Sequence, residues 1–171
     1  MNELTKTAEI ENKIDAIRAN MATMEAVECP VTHLFTKGLY VRRIFMPAFT
    51  INSKGEQVQT IALSKTHATQ HPYVVTKGSA AVYNNVDDFL GIVGAGFIDI
   101  TKPGTRRLLR ILEDCVWTTF HPLSYITGEE NLWSDEQKAE LLLRIEKDII
   151  IERTLSLEDV SDEKINYYLN D

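Results

Sequence analysis

Two stretches of this sequence decide its fold: THATQHPYVVTKG at residues 66–78 and GFIDITKPGTRR at residues 96–107. Each combines a short run of β-branched, aromatic or aliphatic residues with a glycine or proline turn signal. Similar runs lie at residues 39–46, 58–64, 73–76, 80–83, 89–93, 97–100, 108–112 and 116–120. Turn signals separate them, at 77–78 and 113–114 among other places. Because no helical segment lies between these runs, they favour an antiparallel barrel or sandwich and exclude a parallel sheet with helical crossovers.

Helical patterns flank this β-rich region. An amphipathic helix is predicted near residues 5–26, where five residues form one apolar stripe: Ile10, Ile14, Ile17, Met21 and Met24. The Cys29-Pro30 pair stops the helix, because proline disfavours a helical conformation in the residue before it. The stripe must be covered, either by the barrel of the same chain or by a partner chain.

A second helix is predicted after the barrel. Ser134 and Gln137 form a capping box, and helical periodicity then continues to about residue 151 through five positions: Ala139, Leu142, Leu143, Glu146 and either Ile149 or Ile150. A short helix is predicted at residues 162–169. We therefore expect one domain with three parts: an N-terminal helix at 1–30, a β-barrel at 31–122 and a helical extension at 123–171.

The composition limits the possible functions. The 171 residues carry a net charge of −7, which argues against a nucleic-acid-binding surface. No apolar run approaches the roughly 20 residues that span a bilayer, and no signal-peptide pattern is present. Cys29 and Cys115 are far apart and lack a metal-ligand spacing, so we expect reduced thiols in a cytoplasmic protein; a single disulfide is the alternative.

The first stretch resembles the first metal-binding motif of the cupin superfamily of small β-barrels. Gly78 matches the closing glycine of that motif, and His67 matches its second histidine. His71 stands at the position of the family's glutamate, and Lys65 at that of its first histidine. The ligand set that this resemblance implies is therefore only partly retained.

The second stretch resembles the second cupin motif. Gly96 and the Pro103-Gly104 pair are recognisable, and Arg107 stands where the family has its last histidine. The resemblance covers residues 36–122 and implies an antiparallel jelly-roll barrel. Residues 100–107 and 116–122 also resemble small cupin-like proteins encoded by bacteriophages. That resemblance implies a cytoplasmic protein of a bacterial or phage-infected cell, or a virion component.

The histidines are the candidate metal ligands. In one straight strand His67 and His71 would lie about 13 Å apart, too far for one ion. A turn at residues 68–70 would instead bring both imidazoles to the barrel mouth, and His121 could supply a third. Three neutral imidazoles would suit Zn²⁺, Fe²⁺, Ni²⁺ or Mn²⁺. The alternative is that these histidines are hydrogen-bonded polar residues lining the barrel. His33 has no evident partner and is expected to be structural or exposed.

The basic residues are the candidate ligand-binding groups. Arg106 and Arg107, together with Lys102 and Arg110, form the densest basic cluster, and Arg42-Arg43 is a second pair. An inward-facing arginine needs a partner, either an internal carboxylate such as Glu113 or Asp114 or an anionic ligand. Tyr73 and Trp117 are expected first as core residues and second as groups that stack on a ligand.

Two functional classes remain open. The first is a non-enzymatic binding or assembly protein whose barrel pocket takes a small anionic ligand. The second is a metal-dependent enzyme acting on a small molecule through His67, His71 and His121. We favour the first, because Lys65 and Arg107 replace two of the family's metal ligands. The apolar helical stripe also predicts a homo-oligomer, most simply a dimer. Neither a membrane nor a nucleic acid is expected as a partner.

Overall fold

The computed structural model describes residues 3–85 and 88–150, with side chains described at residue 9 and from residue 12 onward. Its elements follow in chain order: α1 (Glu3–Met21), β1 (Val31–Thr36), β2 (Leu39–Met46), β3 (Phe49–Ile51), β4 (Gln57–Gln59), β5 (Ile61–Leu63), β6 (His71–Asn84), β7 (Asp88–Gly94), β8 (Ile98–Thr101), β9 (Arg107–Pro122), a 3₁₀ turn (Glu129–Leu132) and α2 (Asp135–Ile149).

All paired strands are antiparallel. The main sheet has the order β1-β2-β9-β6-β7, with β5 also paired to β9 and β8 also paired to β6, while β3 and β4 form a separate hairpin. The predicted fold class is confirmed: a mainly β, antiparallel architecture with a helix on either side in sequence. Its interior is a cluster of buried apolar side chains, among them Tyr73, Val75, Val82, Ile111 and Trp117.

Strands β6 and β9, of 14 and 16 residues, form the centre of the fold and pair with each other along most of their length. The sequence predicted two shorter strands in place of each, with turns at 77–78 and 113–114, and this was wrong. The chain bends at these points without reversing direction. Gly78 lies at φ +70° in an irregular stretch of the β6–β9 register. The bend therefore needs a left-handed residue in mid-strand and not a turn.

Two other strand predictions differ from the structure. The run at 58–64 is divided into β4 and β5 at Thr60, whose backbone N–H donates to Ala48 O and whose carbonyl accepts from Ile111 N. Strand β1 was not predicted, although it pairs with β2 over six residues. Its alternation is weak because only Phe35 of its six side chains is buried, so hydrophobic periodicity gave no signal there.

Helix α1 lies on the barrel of its own chain. Ile14 and Ile17 are buried against Leu108, and Met21 packs on the same cluster. The intramolecular interpretation of the stripe therefore holds for these residues, and the side chain of Ile10 lies outside the described set. The helix ends at Met21 rather than near residue 26, because Thr23 N bonds to Asn20 O in a tighter turn. Met24 is consequently 45% exposed.

Helix α2 begins with the predicted capping box: Gln137 N donates to Ser134 Oγ, and Ser134 N donates to Gln137 Oε1. Its buried face differs from the predicted stripe. Leu141, Ile145 and Ile149 are buried, whereas Leu143 is 62% exposed. The apolar run from 141 to 143 offers two possible faces, and packing against Phe35, Tyr40 and Ile126 selects one. The predicted helix at 162–169 lies outside the described residues.

Within the described part of the chain, neither helix combines the length and hydropathy needed to cross a membrane.

Candidate metal centre

Three histidines from three different segments meet at one end of the barrel. His71 begins β6, and His121 lies near the end of β9. The two are neighbours across the β6–β9 pairing, because Tyr73 pairs with Thr119. His67 belongs to the loop between β5 and β6, where the chain bends at residues 68 and 69. The predicted turn is therefore present, and it returns the chain so that both imidazoles lie side by side.

The loop that carries His67 is held by backbone hydrogen bonds. Gly104 N donates to His67 O at 2.8 Å, and Ala68 N donates to Ile149 O at 2.8 Å. The position of this histidine thus depends on both the β8–β9 loop and the C-terminal end of α2.

The three rings are close enough to bind one ion together. Ring centroids are separated by 4.4 Å between His67 and His71, 4.3 Å between His71 and His121, and 5.9 Å between His67 and His121. One ring nitrogen from each lies within 4.8 Å of the others. Each ring also has one buried nitrogen without a hydrogen-bond partner: Nδ1 of His67, Nε2 of His71 and Nδ1 of His121.

A backbone carbonyl sets the tautomer of His71. Its Nδ1 lies 3.2 Å from Thr69 O. A carbonyl oxygen can only accept, so Nδ1 carries the proton and Nε2 keeps its lone pair. The unpartnered nitrogen of this ring is therefore the basic one.

The hydroxyl group of Thr119 sets the tautomer of His121. Thr119 Oγ1 donates to Arg42 O at 3.4 Å, and it lies 2.9 Å from Nε2 of His121. Because the hydroxyl proton is directed to the carbonyl, Nε2 is the donor in the second bond and Nδ1 is left with a lone pair. Such contacts behind a ligand orient the ring and raise its basicity.

All three imidazoles are held in the neutral form. Burial, reinforced by the neighbouring histidines and arginines, lowers the pKa of His67 to about 4 and that of His121 to about 3. Burial also lowers the pKa of His71, against the opposing effect of its bond to Thr69. Neutral imidazole is the form that binds a metal ion.

These pKa shifts predict how the metal-free protein responds to acid. Between pH 6.5 and about 4, an unfolded His67 binds a proton that the folded protein excludes. Stability is therefore complete above pH 6.5 and falls as the pH is lowered, by up to about 1.4 kcal/mol per pH unit for each such histidine. We expect His67→Gln to reduce this slope in urea unfolding of chelator-treated protein between about pH 6.5 and 5. An unchanged slope would contradict the neutral, buried imidazole.

The three histidines line a cavity of about 470 Å³, within the range of about 300–1,000 Å³ typical of small-molecule sites. Helix α2 covers part of it through Leu142, Ile145 and Ile149. An ion pair between Lys65 and Glu146 joins the His67 loop to this helix.

The predicted ligand-binding residues are only partly brought together. Arg107 and Trp117 line the cavity. Arg106 is buried outside it, with Nε donating to Ser64 O at 2.9 Å, and Lys102 is exposed. Tyr73 is fully buried beneath Arg107, whose Cζ lies 4.3 Å from the tyrosine ring centroid. The binding roles assigned to these residues stay predictions.

The sequence did not place three other lining residues at this site. His33 lines the cavity, and its Nδ1 lies 2.8 Å from Tyr40 Oη, so it has a partner. Arg42 and Thr119 also line the cavity and face each other across the β2–β9 pairing. Thr119 could have been found from its position two residues before His121, which places both on one face of a strand. Nothing local in the sequence indicates the pairing with Arg42.

No protein-family model matches this chain, and no curated protein matches it significantly. Solved structures do resemble it in fold. One is a protein with a double-stranded β-helix domain from Klebsiella pneumoniae, with a TM-score of 0.44, 18% identity, and coverage of 60% of this chain and 83% of that one.

Two further solved structures are also similar to this chain in fold. A cupin superfamily protein from Desulfitobacterium hafniense has a TM-score of 0.41 and 8% identity over 60% of this chain and 85% of its own. The EutQ protein of Clostridium difficile has a TM-score of 0.41 and 11% identity over 57% and 69%. The solved structures that this chain resembles thus include cupin and double-stranded β-helix proteins. The fold class itself rests on the strand pairing, and no activity follows from these likenesses.

Proposed function

We propose that this protein binds one divalent transition-metal ion on His67, His71 and His121, and that the adjoining cavity takes a small anionic molecule. Two observations on the same three rings carry the proposal. One ring nitrogen from each histidine lies within 4.8 Å of the others, and each ring has one buried nitrogen without a hydrogen-bond partner. An unpaired buried polar atom is destabilising by about 1–3 kcal/mol. A single ion bound to all three would remove that penalty at once.

The alternative, that these histidines are only hydrogen-bonded lining residues, explains less. It accounts for Nδ1 of His71 and Nε2 of His121, which have partners. It leaves the three unpartnered nitrogens unexplained, because no described protein group bonds to them. The hydrogen bonds to Thr69 and Thr119 also fix tautomers that leave the lone pair on the unpartnered nitrogen in two of the three rings. A free lone pair is what a metal ion needs from an imidazole.

The donor set fits a transition metal. Three imidazoles suit Zn²⁺, Fe²⁺, Ni²⁺ or Mn²⁺, and they do not suit ions that prefer oxygen alone. Two ligands of one ion with metal–nitrogen distances of about 2.1 Å lie at most about 4.2 Å apart. The observed spread of up to 4.8 Å is wider than this limit. Because His67 lies on a loop and not in a strand, movement of its side chain toward the other two rings would complete the site.

Positive charge around the cluster supports an anionic ligand. Arg107 and Arg42 both line the cavity, and the charges of both act on His67. In the described residues the other cationic lining group, Lys65, is paired with Glu146. The proposed function is therefore binding, with the arginines holding the anion next to the ion.

Catalysis is the second candidate. It is favoured by one observation: only three described protein ligands surround the centre, and all three line the cavity. A bound ion with a vacant coordination position supplies Lewis-acid polarisation of a substrate group. In that case the arginines would orient the substrate, and α2 would exclude water.

A homo-oligomer, a cytoplasmic or virion location and a phage origin stay predictions. Since α1 covers the barrel of its own chain, a dimer would need another face. Strands β7 and β8 offer one, because five large apolar side chains are exposed there: Phe89, Leu90, Ile92, Ile98 and Ile100.

The proposal is tested by the metal content of protein purified without a histidine tag. We expect about one equivalent of a transition metal in the wild-type protein, and loss of that metal in the His67→Ala/His71→Ala double variant. His33→Ala is the matched control, because His33 lines the same cavity outside the three-histidine cluster and its loss should leave the metal content unchanged. A folded wild-type protein that neither contains nor takes up metal would contradict the proposed metal centre.

A further inference from the structure

Arg107 is a buried cation with no carboxylate partner among the described residues. Its side chain is only 7% exposed. One guanidinium nitrogen donates to Thr101 Oγ1 at 2.5 Å, and Nε has no partner. Asp99 attracts it through space but forms no ion pair with it. The predicted partners Glu113 and Asp114 instead accept hydrogen bonds from Ser79 and Ala48. A buried guanidinium of this kind calls for an anion.

A second guanidinium faces the same space from another strand. Arg42 lines the cavity beside Tyr40 and His121, and it forms no ion pair with a described carboxylate. Its charge acts on His67 and His121, whereas that of Arg107 acts on His67 and His71. The two arginines therefore flank the histidine cluster, and together they give one end of the cavity an uncompensated positive charge.

Much of the remaining lining is apolar. It comes from β2, β5, β9 and α2 and includes six large side chains: Ile44, Met46, Leu109, Trp117, Leu142 and Ile145. The charged lining residues Lys65 and Glu146 pair with each other. A ligand that filled only the charged end would leave this surface in contact with water. The site is thus amphiphilic, with a cationic end and an apolar chamber.

We infer that the ligand is a monocarboxylate with an apolar body, whose carboxylate lies between Arg107 and Arg42 beside the three histidines. This inference rests on the proposed function and names its ligand class. A carboxylate matches the planar fork of arginine. A phosphate monoester would match the arginines as well, but its second negative charge raises the desolvation penalty in a cavity with apolar walls.

The fold supplies a reporter for this test. The Arg107 guanidinium lies on one face of Tyr73, and Trp117 stacks on Tyr73 with a centroid distance of 4.6 Å and an interplanar angle of 8°. Trp117 also lines the cavity itself. The chain has 2 tryptophans, so Trp133→Phe leaves Trp117 as the only one. Its fluorescence then reports on the cavity.

The experiment titrates the Trp133→Phe protein with four probes: octanoate, acetate, octanamide and octyl phosphate. Octanoate should bind about a hundredfold more tightly than acetate, which lacks the apolar body. It should bind about thirtyfold more tightly than octanamide, which lacks the charge, and about tenfold more tightly than octyl phosphate. Equal binding of octanamide, tighter binding of octyl phosphate, or no binding of octanoate would overturn the inference.

Arginine variants identify the contacts. Arg107→Met and Arg42→Met should each weaken octanoate about thirtyfold or more and leave octanamide unchanged. Arg107→Lys serves where the methionine variant does not fold, and it should weaken octanoate less. Arg43→Met is the matched control, since Arg43 is the exposed neighbour of Arg42 and should have no effect. Octanoate affinity that is insensitive to both cavity arginines would overturn the assignment.

Metal content, measured on the same samples, separates this inference from the proposed function. Metal uptake without octanoate binding would contradict only the inferred ligand class and would leave the metal centre standing. If octanoate binds through the arginines but the protein takes up no metal, the proposed metal centre is contradicted and the inferred carboxylate site is supported.

Discussion

Replacing Gly78 by alanine is expected to destabilise the protein by more than about 3 kcal/mol, or to prevent it from folding. Gly78 has φ +70°, where an L side chain is strained, and a Cβ placed on it would lie 2.1 Å from the backbone oxygen of Asp114. A backbone atom cannot move aside as a side-chain end can. The β6–β9 pairing would therefore have to open where Gly78 lies against Asp114. Thermal unfolding should show a decrease in Tm of roughly 10 °C or more.

Gly55→Ala is the matched control for this prediction. Gly55 lies at φ +79°, so it has the same backbone strain, but nothing lies within 4 Å of its added Cβ. We expect only the conformational penalty of about 1–2 kcal/mol. Equal losses at the two positions would mean that strain alone, and not the contact with Asp114, makes glycine necessary in β6.

Metal binding is expected to produce the second large effect. An ion present at a thousand times its Kd stabilises the folded state by about 4 kcal/mol, which corresponds to a rise in Tm of roughly 10 °C for a domain of this size. The effect should be large here because the three ligands come from β6, β9 and the loop held by α2. One ion would therefore tie together segments that are distant in sequence.

The measurement compares chelator-treated protein before and after addition of Zn²⁺, Ni²⁺, Mn²⁺ or, without oxygen, Fe²⁺. His71→Ala should abolish the rise in Tm, whereas His33→Ala should retain it. Because each variant is compared with its own metal-free form, any loss of stability from the substitution itself cancels. A metal-induced shift that persists in His71→Ala would place the bound ion elsewhere.

Local chemistry in the sequence predicts much of the fold. The short runs of β-branched and aromatic residues predict antiparallel strands, and the Ser134–Gln137 capping box fixes the start of α2. The errors occur where the outcome depends on distant partners. Gly78 was taken to mark a turn between strands, whereas it allows one long strand to bend against Asp114. The buried face of α2 was misassigned because it depends on Phe35 and Tyr40.

The candidate site divides in the same way. His67, His71 and His121 could be selected by residue type, and the turn at 68–70 follows from the geometric requirement that both imidazoles reach one point. The roles of Thr119 and Arg42 could not be predicted, because they arise from a β2–β9 pairing between residues 77 positions apart. The sequence also could not show that Arg107 has no carboxylate partner among the described residues. Glu113 and Asp114 are near it in sequence, but they bond to other groups.

Anomalous diffraction from crystals grown with Zn²⁺, Ni²⁺ or Mn²⁺ tests the central claim most directly. Data collected on both sides of the absorption edge of the ion should give one anomalous peak within bonding distance of Nδ1 of His67, Nε2 of His71 and Nδ1 of His121. Crystals of His71→Ala grown in the same solution should lack it. An anomalous map without a peak among these three rings, with water bonded to the unpartnered nitrogens in its place, would contradict the account.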